Sequence, residues 1–197
     1  MSDRVSLRGE LANIAAFGVE LAALEEKDLP LLCYWRNQPE IRPFMDDIRP
    51  VTPKVMNVWL NKARSGDTGW PYMVHMGGNP VAYTEIKNIN WADSSCEDGI
   101  FLFGKAYIGT GIAYRIVLCR ELVMARLGLR TLISRVRIEN TRSIRFCMKY
   151  GGEYVRTEGD FLVYEYDFAR RRQSLKTIAR ILEVAGEFER VLGEEMT

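Results

Sequence analysis

The stretch GKAYIGTGIAYR, residues 104–115, sets Gly109 and Gly111 one residue apart at the start of an apolar helical pattern. Glycines let a backbone approach a ligand closely, and the first N–H groups of a helix have no intrahelical partner. Together these features suit an anion. Two sharper phosphate patterns fail on spacing. Gly104 and Gly109 have the outer separation of G-x-x-x-x-G-K-[ST], but Thr110 and Gly111 follow, and Tyr114 stands where G-x-G-x-x-G needs its last glycine. On these residues alone, a tight strand-to-helix turn is the simpler reading.

Other chemistry-bearing residues are sparse. Cys33, Cys96, Cys119 and Cys147 lie far apart with no C-x-x-C pair, and His75 is the single histidine, so a Cys/His metal cluster is hard to assemble and no metal is expected. In YMVHM, His75 alternates with Met73, which suits a sheet-face residue. A formal net charge of +1 gives no global electrostatic case for nucleic acid or an anionic membrane. No run approaches the ~20 apolar residues of a membrane span, and the segment MSDRVSLRGELANIAAFG lacks a long apolar core. A reducing cytoplasm is the simplest location.

The elements that must position these residues follow from periodicity and punctuation. The 197 residues suffice for one domain with a sizeable core. Residues 1–16 are expected as a tail and FGVELAAL, 17–24, as a strand. Asp28 as N-cap and Pro30 in the first turn start a helix through CYWRN; NQPEIRPFM holds a short helical turn. Thr52 and Pro53 start another helix, with Val55, Trp59 and Ala63 on one face and a stop at Gly66. WPYMVHMG and PVAYTEIKNI form a hairpin around GGNP. Alternation there puts Tyr83, Glu85 and Lys87 on one face, and Glu85 in solvent if Ile86 points to the core.

A polar loop, NWADSSCED, leads into the strand GIFLFG and the glycine loop. In the helix that follows, Ile112, Ile116, Cys119 and Val123 share one side, leaving Arg115, Arg120 and Arg126 for wetter positions, and Gly128 ends it. TLISRVR continues as a strand, Asn140 caps a helix ending at Gly151, and EYVRT with DFLVYEYDF make a second hairpin. Leu175, Ile178, Leu182, Ala185 and Phe188 recur at helical spacing in an extension over 170–197, which either packs on the domain or meets a partner subunit in a homodimer.

Residues 17–168, in this order, resemble the GCN5-related N-acetyltransferase (GNAT) superfamily. Its loop Q/R-x-x-G-x-G/A aligns with Ala106–Gly111; the glycines match, Ala106 replaces Gln or Arg, and Lys105 offers a neighbouring cation. Its strand followed by N-x-x-[AS] and a helix ending near K-x-G-F aligns with Asn140, Ser143, Lys149 and Gly151, with Gly152 replacing the aromatic. The resemblance implies an α/β GNAT fold: a mixed sheet of six or seven strands, splayed between the fourth and fifth, flanked by helices over 17–169, with an added C-terminal helix. It implies acetyl-CoA as cofactor. Backbone near Leu102 and Phe103 would meet pantetheine, N–H groups of Ile108, Gly109, Thr110, Gly111, Ile112 and Ala113 would meet pyrophosphate, and Asn140 would meet the arm or simply cap its helix.

The same resemblance implies direct transfer to a primary amine. A tyrosine acid common in related enzymes aligns with Cys147, which either donates a proton or is a packed thiol, with Tyr150 as backup. Glu85 is the candidate base, with Glu97 and Asp98 as alternatives. YWRNQPEIRPFM, 34–45, resembles the subgroup that acetylates nucleotide-linked deoxyamino sugars, of pseudaminic acid type, and also occurs in the ribosomal-protein N-acetyltransferase-like group. Carried over, Trp35, Arg36, Asn37 and Arg42 form the acceptor pocket; packing and solvation explain them comparably well. The acceptor is therefore expected as a small-molecule amine, preferably a nucleotide-linked sugar, with a protein N-terminus as the rival. A non-catalytic acyl-CoA-binding protein of the same fold is the reading from a different class.

Overall fold

The computed structural model describes residues 2–65 and 69–193. Among them, eight strands form one sheet: β1 (Asn13–Ala16), β2 (Val19–Ala23), β3 (Gly69–Met76), β4 (Asn79–Asn90), β5 (Ser95–Leu102), β6 (Thr131–Arg137), β7 (Glu153–Glu158) and β8 (Phe161–Tyr166). Their order is β1-β2-β3-β4-β5-β6-β8-β7, antiparallel at every step except β5 to β6. Helices α1 (Ser2–Glu10), α2 (Leu29–Arg36), α3 (Pro53–Ser65), α4 (Ile112–Arg126), α5 (Thr141–Lys149), α6 (Phe168–Ile181) and α7 (Ala185–Leu192) complete the described chain. No helix among the described residues is long and apolar enough to cross a membrane.

The sheet divides two apolar layers. On one face, α4 packs with Ile86, Leu132, Tyr150 and Tyr166 in the larger core. On the other, Leu29 and Leu32 of α2 and Leu60 of α3 close over Met73, Tyr83 and Phe103. This second layer is why Glu85 is not solvated: Ile86 does face the core, as expected, but the opposite face has its own cover.

Several expectations are corrected. Residues 13–16 are a strand rather than a tail; β1 is short and alanine-rich, and it exists by pairing with β2 across the Phe17–Gly18 turn. Part of the expected polar loop, from Ser95, belongs to β5. On α3 the buried stripe runs through Leu60 and Ala63 while Val55 is exposed; the expected stop at Gly66 lies outside the described residues. The extension is two helices, broken where Glu183 takes a left-handed φ of 58°, and Leu175, Ile178 and Phe188 bury against this same domain. The solvated assignment of Arg120 fails for another reason: its side chain lies between α4 and the sheet, donating to Thr84 of β4 and paired with Asp98 of β5. Helices α6 and α7 cover the side of α4 that its periodicity leaves open, so residues 116–124 are buried throughout.

Candidate active site

Strands β5 and β6 pair through only three positions, Ser95↔Thr131, Cys96↔Leu132 and Glu97↔Ile133. Beyond them β5 runs on to Leu102 and β6 to Arg137 without pairing to each other, which opens a gap in the sheet. The Phe103 N–H donates across to Val81 O at 2.8 Å, so it is not available to a ligand in the gap, contrary to expectation. Successive peptide groups of a strand point to opposite sides, which turns those of Leu102 and Ile100 toward the gap. The Leu102 carbonyl accepts from Gly104 N–H at 3.0 Å, leaving its N–H as the free group.

At the outer end of the gap lies the glycine loop. Gly109 and Gly111 have φ of 79° and 81°, the left-handed region that glycine tolerates, and Gly111 is the N-cap of α4. Among the described residues no acceptor takes the N–H of Gly109, Thr110, Gly111, Ile112 or Ala113. Ile108 drops out of the expected set because its N–H donates to Lys105 O at 3.1 Å. Lys105 is exposed and its Nζ lies 3.4 Å from Glu40, across the loop rather than over the glycines. The anion site is therefore made of backbone dipoles. Asn140 caps α5, its Oδ1 accepting from Ser143 N–H at 3.1 Å, which leaves the amide nitrogen free for a second contact.

A half-buried carboxylate occupies the opposite face, two residues beyond the last β5–β6 pair. Glu85 pairs in register with Gly99, and a Cβ at position 99 would lie 2.8 Å from Glu85 Oε1. The glycine in mid-strand makes room for the carboxylate. Tyr83 Oη donates to Glu85 Oε2 at 2.9 Å, and Lys87 Nζ is 3.6 Å from Oε1. Burial pushes the Glu85 carboxyl above the usual carboxylate range, with Lys87 and the Tyr83 hydroxyl opposing. For Lys87 burial acts downward, but Glu85 and Asp46 outweigh it and hold the ammonium above its ordinary value. A carboxylate at 15 % side-chain exposure with a raised pKa has the properties of a general base.

The segment 37–51 lies across this face. Asp46 Oδ2 meets Lys87 at 2.8 Å, and Arg137 Nε of β6 donates to Met45 O at 3.0 Å. The W-R-N residues hold this segment in place. Arg36 donates to Asp47 O at 2.6 Å and Arg49 O at 3.2 Å, and Asn37 exchanges two hydrogen bonds with the Val51 backbone at 2.8 and 2.9 Å. Trp35 stacks on Phe103, with centroids 5.6 Å apart and planes 6° from parallel. These three expected acceptor contacts are thus turned to packing and loop anchoring. Arg42 differs: its guanidinium has no partner among the described residues.

The remaining candidates separate clearly. Cys147 is buried at the fork beside Tyr166 and Ser134, and burial pushes its thiol up to about 12, so it is a poor proton source. Tyr150 is closed off, its hydroxyl donating to Glu121. Asp98 faces α4, where Ser134 Oγ donates to it and Arg120 pairs with it, both at 2.5 Å. Glu97 stands opposite Lys87 in register, and His75 opposite Glu20, several residues along the sheet from Glu85. Sequence reasoning passed over Tyr83 and Gly99; an isolated glycine inside a strand was the available signal.

An acyl-CoA fits these features: its diphosphate matches the free N–H row, and its amide-bearing arm matches the unpaired peptide groups along the gap. Residues 19–153 match the family model described as an acetyltransferase (GNAT) domain. No curated protein matches this chain. Among solved structures, an uncharacterised protein from Bacillus halodurans has TM-score 0.74 and 14 % identity, covering 87 % of this chain and 98 % of its own. AAC(6')-Ib in complex with ribostamycin and coenzyme A has TM-score 0.66 and 20 % identity, covering 81 % and 96 %. RimL, a ribosomal-protein alpha-N-acetyltransferase in complex with coenzyme A, has TM-score 0.66 and 14 % identity, covering 79 % and 97 %. At these identities the likenesses speak for the fold. With a split sheet, a backbone anion loop and most of its length matched by the family model, the chain belongs to the GNAT acetyltransferases, which move an acetyl group from acetyl-CoA to an amine.

Proposed function

We propose that the chain acetylates a primary amine by direct transfer, with Glu85 as the base and a nucleotide-linked deoxyamino sugar as the preferred acceptor. Acetyl-CoA supplies an acyl carbon already activated as a thioester. In the transfer a C–N bond forms and a C–S bond breaks; the nitrogen gives its proton to Glu85, and CoA leaves as a thiolate that takes its proton from solvent. The N–H row from Gly109 to Ala113 holds the diphosphate, and the free peptide groups of β5 align the arm. Glu85 takes the proton from nitrogen on the face beneath segment 37–51. The observation that carries this reading is the Glu85 carboxylate itself: half-buried, given room by Gly99, and two residues beyond the last β5–β6 pair.

For the acceptor, the support lies in Arg42. It is the one member of the four-residue set whose charge is uncommitted among the described residues, and a nucleotide diphosphate is a suitable counter-ion. Trp35, Arg36 and Asn37 serve by fixing the segment that carries Arg42. A peptide N-terminus is the rival, since RimL shares the fold and is described as a protein acetyltransferase. Free-CoA release, measured with a UDP-4-amino-4,6-dideoxy sugar beside N-terminal peptides, decides between them. A higher kcat/KM for the sugar, lowered by Arg42→Ala through KM, is the expected result. Preference for the peptides overturns the sugar assignment.

A further inference from the structure

A departing thiolate needs a hydrogen-bond donor, and the inner end of the β5–β6 gap gathers polar side chains from several elements. Asp98 comes from β5, Ser134 from β6, Cys147 from α5 and Tyr166 from β8, with Arg120 of α4 below. Ser134 gives its hydrogen to Asp98. Arg120 is ion-paired with the other oxygen of that carboxylate and donates to Thr84, which holds it below the sheet. Its Nε is the one guanidinium group that has neither an ion-pair nor a hydrogen-bond partner among the described residues. The Tyr166 hydroxyl remains, lying against the Cys147 sulfur and the Ser134 hydroxyl. A thiol sulfur is a weak acceptor, so the phenolic hydrogen is loosely held and turns readily to a thiolate.

The position of this ring depends on two small residues. A Cβ at Gly152 would lie 2.9 Å from both Cε1 and Cζ of Tyr166, so any side chain there pushes the ring away. Cys147 is short enough to leave the hydroxyl its place at the fork. The ring is fully buried and packs against Tyr150 at 5.0 Å between centroids, while β-pairing of Tyr166 with Leu132 fixes its height in the sheet. Cys147 in α5 and Gly152 just after it both depart from the pattern this segment resembles, and both leave room for Tyr166.

We propose that the Tyr166 hydroxyl, presented from β8 through the room left by Cys147 and Gly152, donates the hydrogen bond that stabilises the leaving sulfur. The inference rests on the acetyltransferase reading. Burial keeps the phenol protonated well above its usual range, so it remains a donor at every working pH.

The test is calorimetric binding of CoA and acetyl-CoA to wild type, Tyr166→Phe and Cys147→Ser, at about pH 6.5 and about pH 9.5, either side of an ordinary thiol at ~8.5. Tyr166→Phe removes one oxygen and keeps the ring. In wild type the preference for CoA over acetyl-CoA should grow with pH, because CoA alone can present a thiolate. In Tyr166→Phe that growth should shrink about tenfold, with acetyl-CoA affinity changed by less than about twofold. Equal weakening of both ligands, or a preference lost in Cys147→Ser but kept in Tyr166→Phe, overturns the proposal. If wild type binds neither ligand, the acetyltransferase reading fails with it; if wild type binds both and Tyr166→Phe matches it, only the role of Tyr166 fails.

Discussion

Two carboxylates in this molecule, Glu121 buried and Glu85 half-buried, each accept a hydrogen bond from a tyrosine, and their surroundings differ. Glu121 of α4 receives the Tyr150 hydroxyl and the Arg171 Nε, the latter at 3.0 Å, and both ends of the ion pair are 1 % exposed. Arg171 also donates to the Arg130 and Tyr166 carbonyls at 2.9 and 3.3 Å. Everything there is paired, and the result is a staple between α6 and α4. Glu85 has the Tyr83 hydroxyl but only a 3.6 Å approach from Lys87, whose closer partner is Asp46 at 2.8 Å. Its charge is compensated in part, and it keeps a path to the exterior. Burial and a phenol are common to both; incomplete pairing with access is what suits Glu85, and not Glu121, to the proposed role of base.

The comparison can be broken at several points. The largest effect is expected at the staple. Arg171→Leu leaves Glu121 buried and unpaired, which costs about 3–5 kcal/mol, read as a lowered Tm and denaturant midpoint. Activity per folded molecule, measured well below the new Tm, should stay within about twofold. Glu85→Gln should behave the other way, losing about 100-fold in kcat/KM, some 2.7 kcal/mol, without weakening acetyl-CoA binding.

Its stability signature has a definite sign. A carboxyl raised above its unfolded value of ~4.3 contributes stability that is complete below that pH and lost as pH rises through the folded value. Glu85→Gln should therefore gain in Tm relative to wild type as pH rises above about 4.3. A gain that grows toward acid would contradict the raised carboxyl. Smaller still is Gly99→Ala, whose Cβ crowds Glu85 Oε1 at 2.8 Å; it should lower kcat about tenfold with little change in the acetyl-CoA Kd. Asn37→Ala, which frees Val51, should cost about 1 kcal/mol and raise the acceptor KM a few-fold.

The parts of this account that were legible in the sequence were those encoded locally. Gly109 and Gly111 announce a left-handed turn into a helix, Asn140 announces its cap, and GGNP announces a hairpin. The order of these signals was enough for the fold family. What could not be read was the set of side chains decided by a second layer. Helical spacing placed Arg120 in solvent because nothing in α4 reveals the Asp98 and Thr84 partners that the sheet sets against it. Strand alternation placed Glu85 in solvent because the cover from α2, α3 and segment 37–51 comes from distant sequence. The W-R-N residues suggested ligand contacts through the resemblance, and only the three-dimensional path of residues 47–51 shows where the hydrogen bonds of Arg36 and Asn37 go.

The most direct test of the central claim is the rate of free-CoA release from acetyl-CoA with the amino-sugar acceptor, wild type against Glu85→Gln, across pH and alongside the acetyl-CoA Kd of each. The account predicts a wild-type rate that rises with pH through a midpoint above ~4.3, and a variant about 100-fold slower that lacks this limb and binds acetyl-CoA equally well. A variant within about threefold of wild type, with the same pH profile, would contradict it.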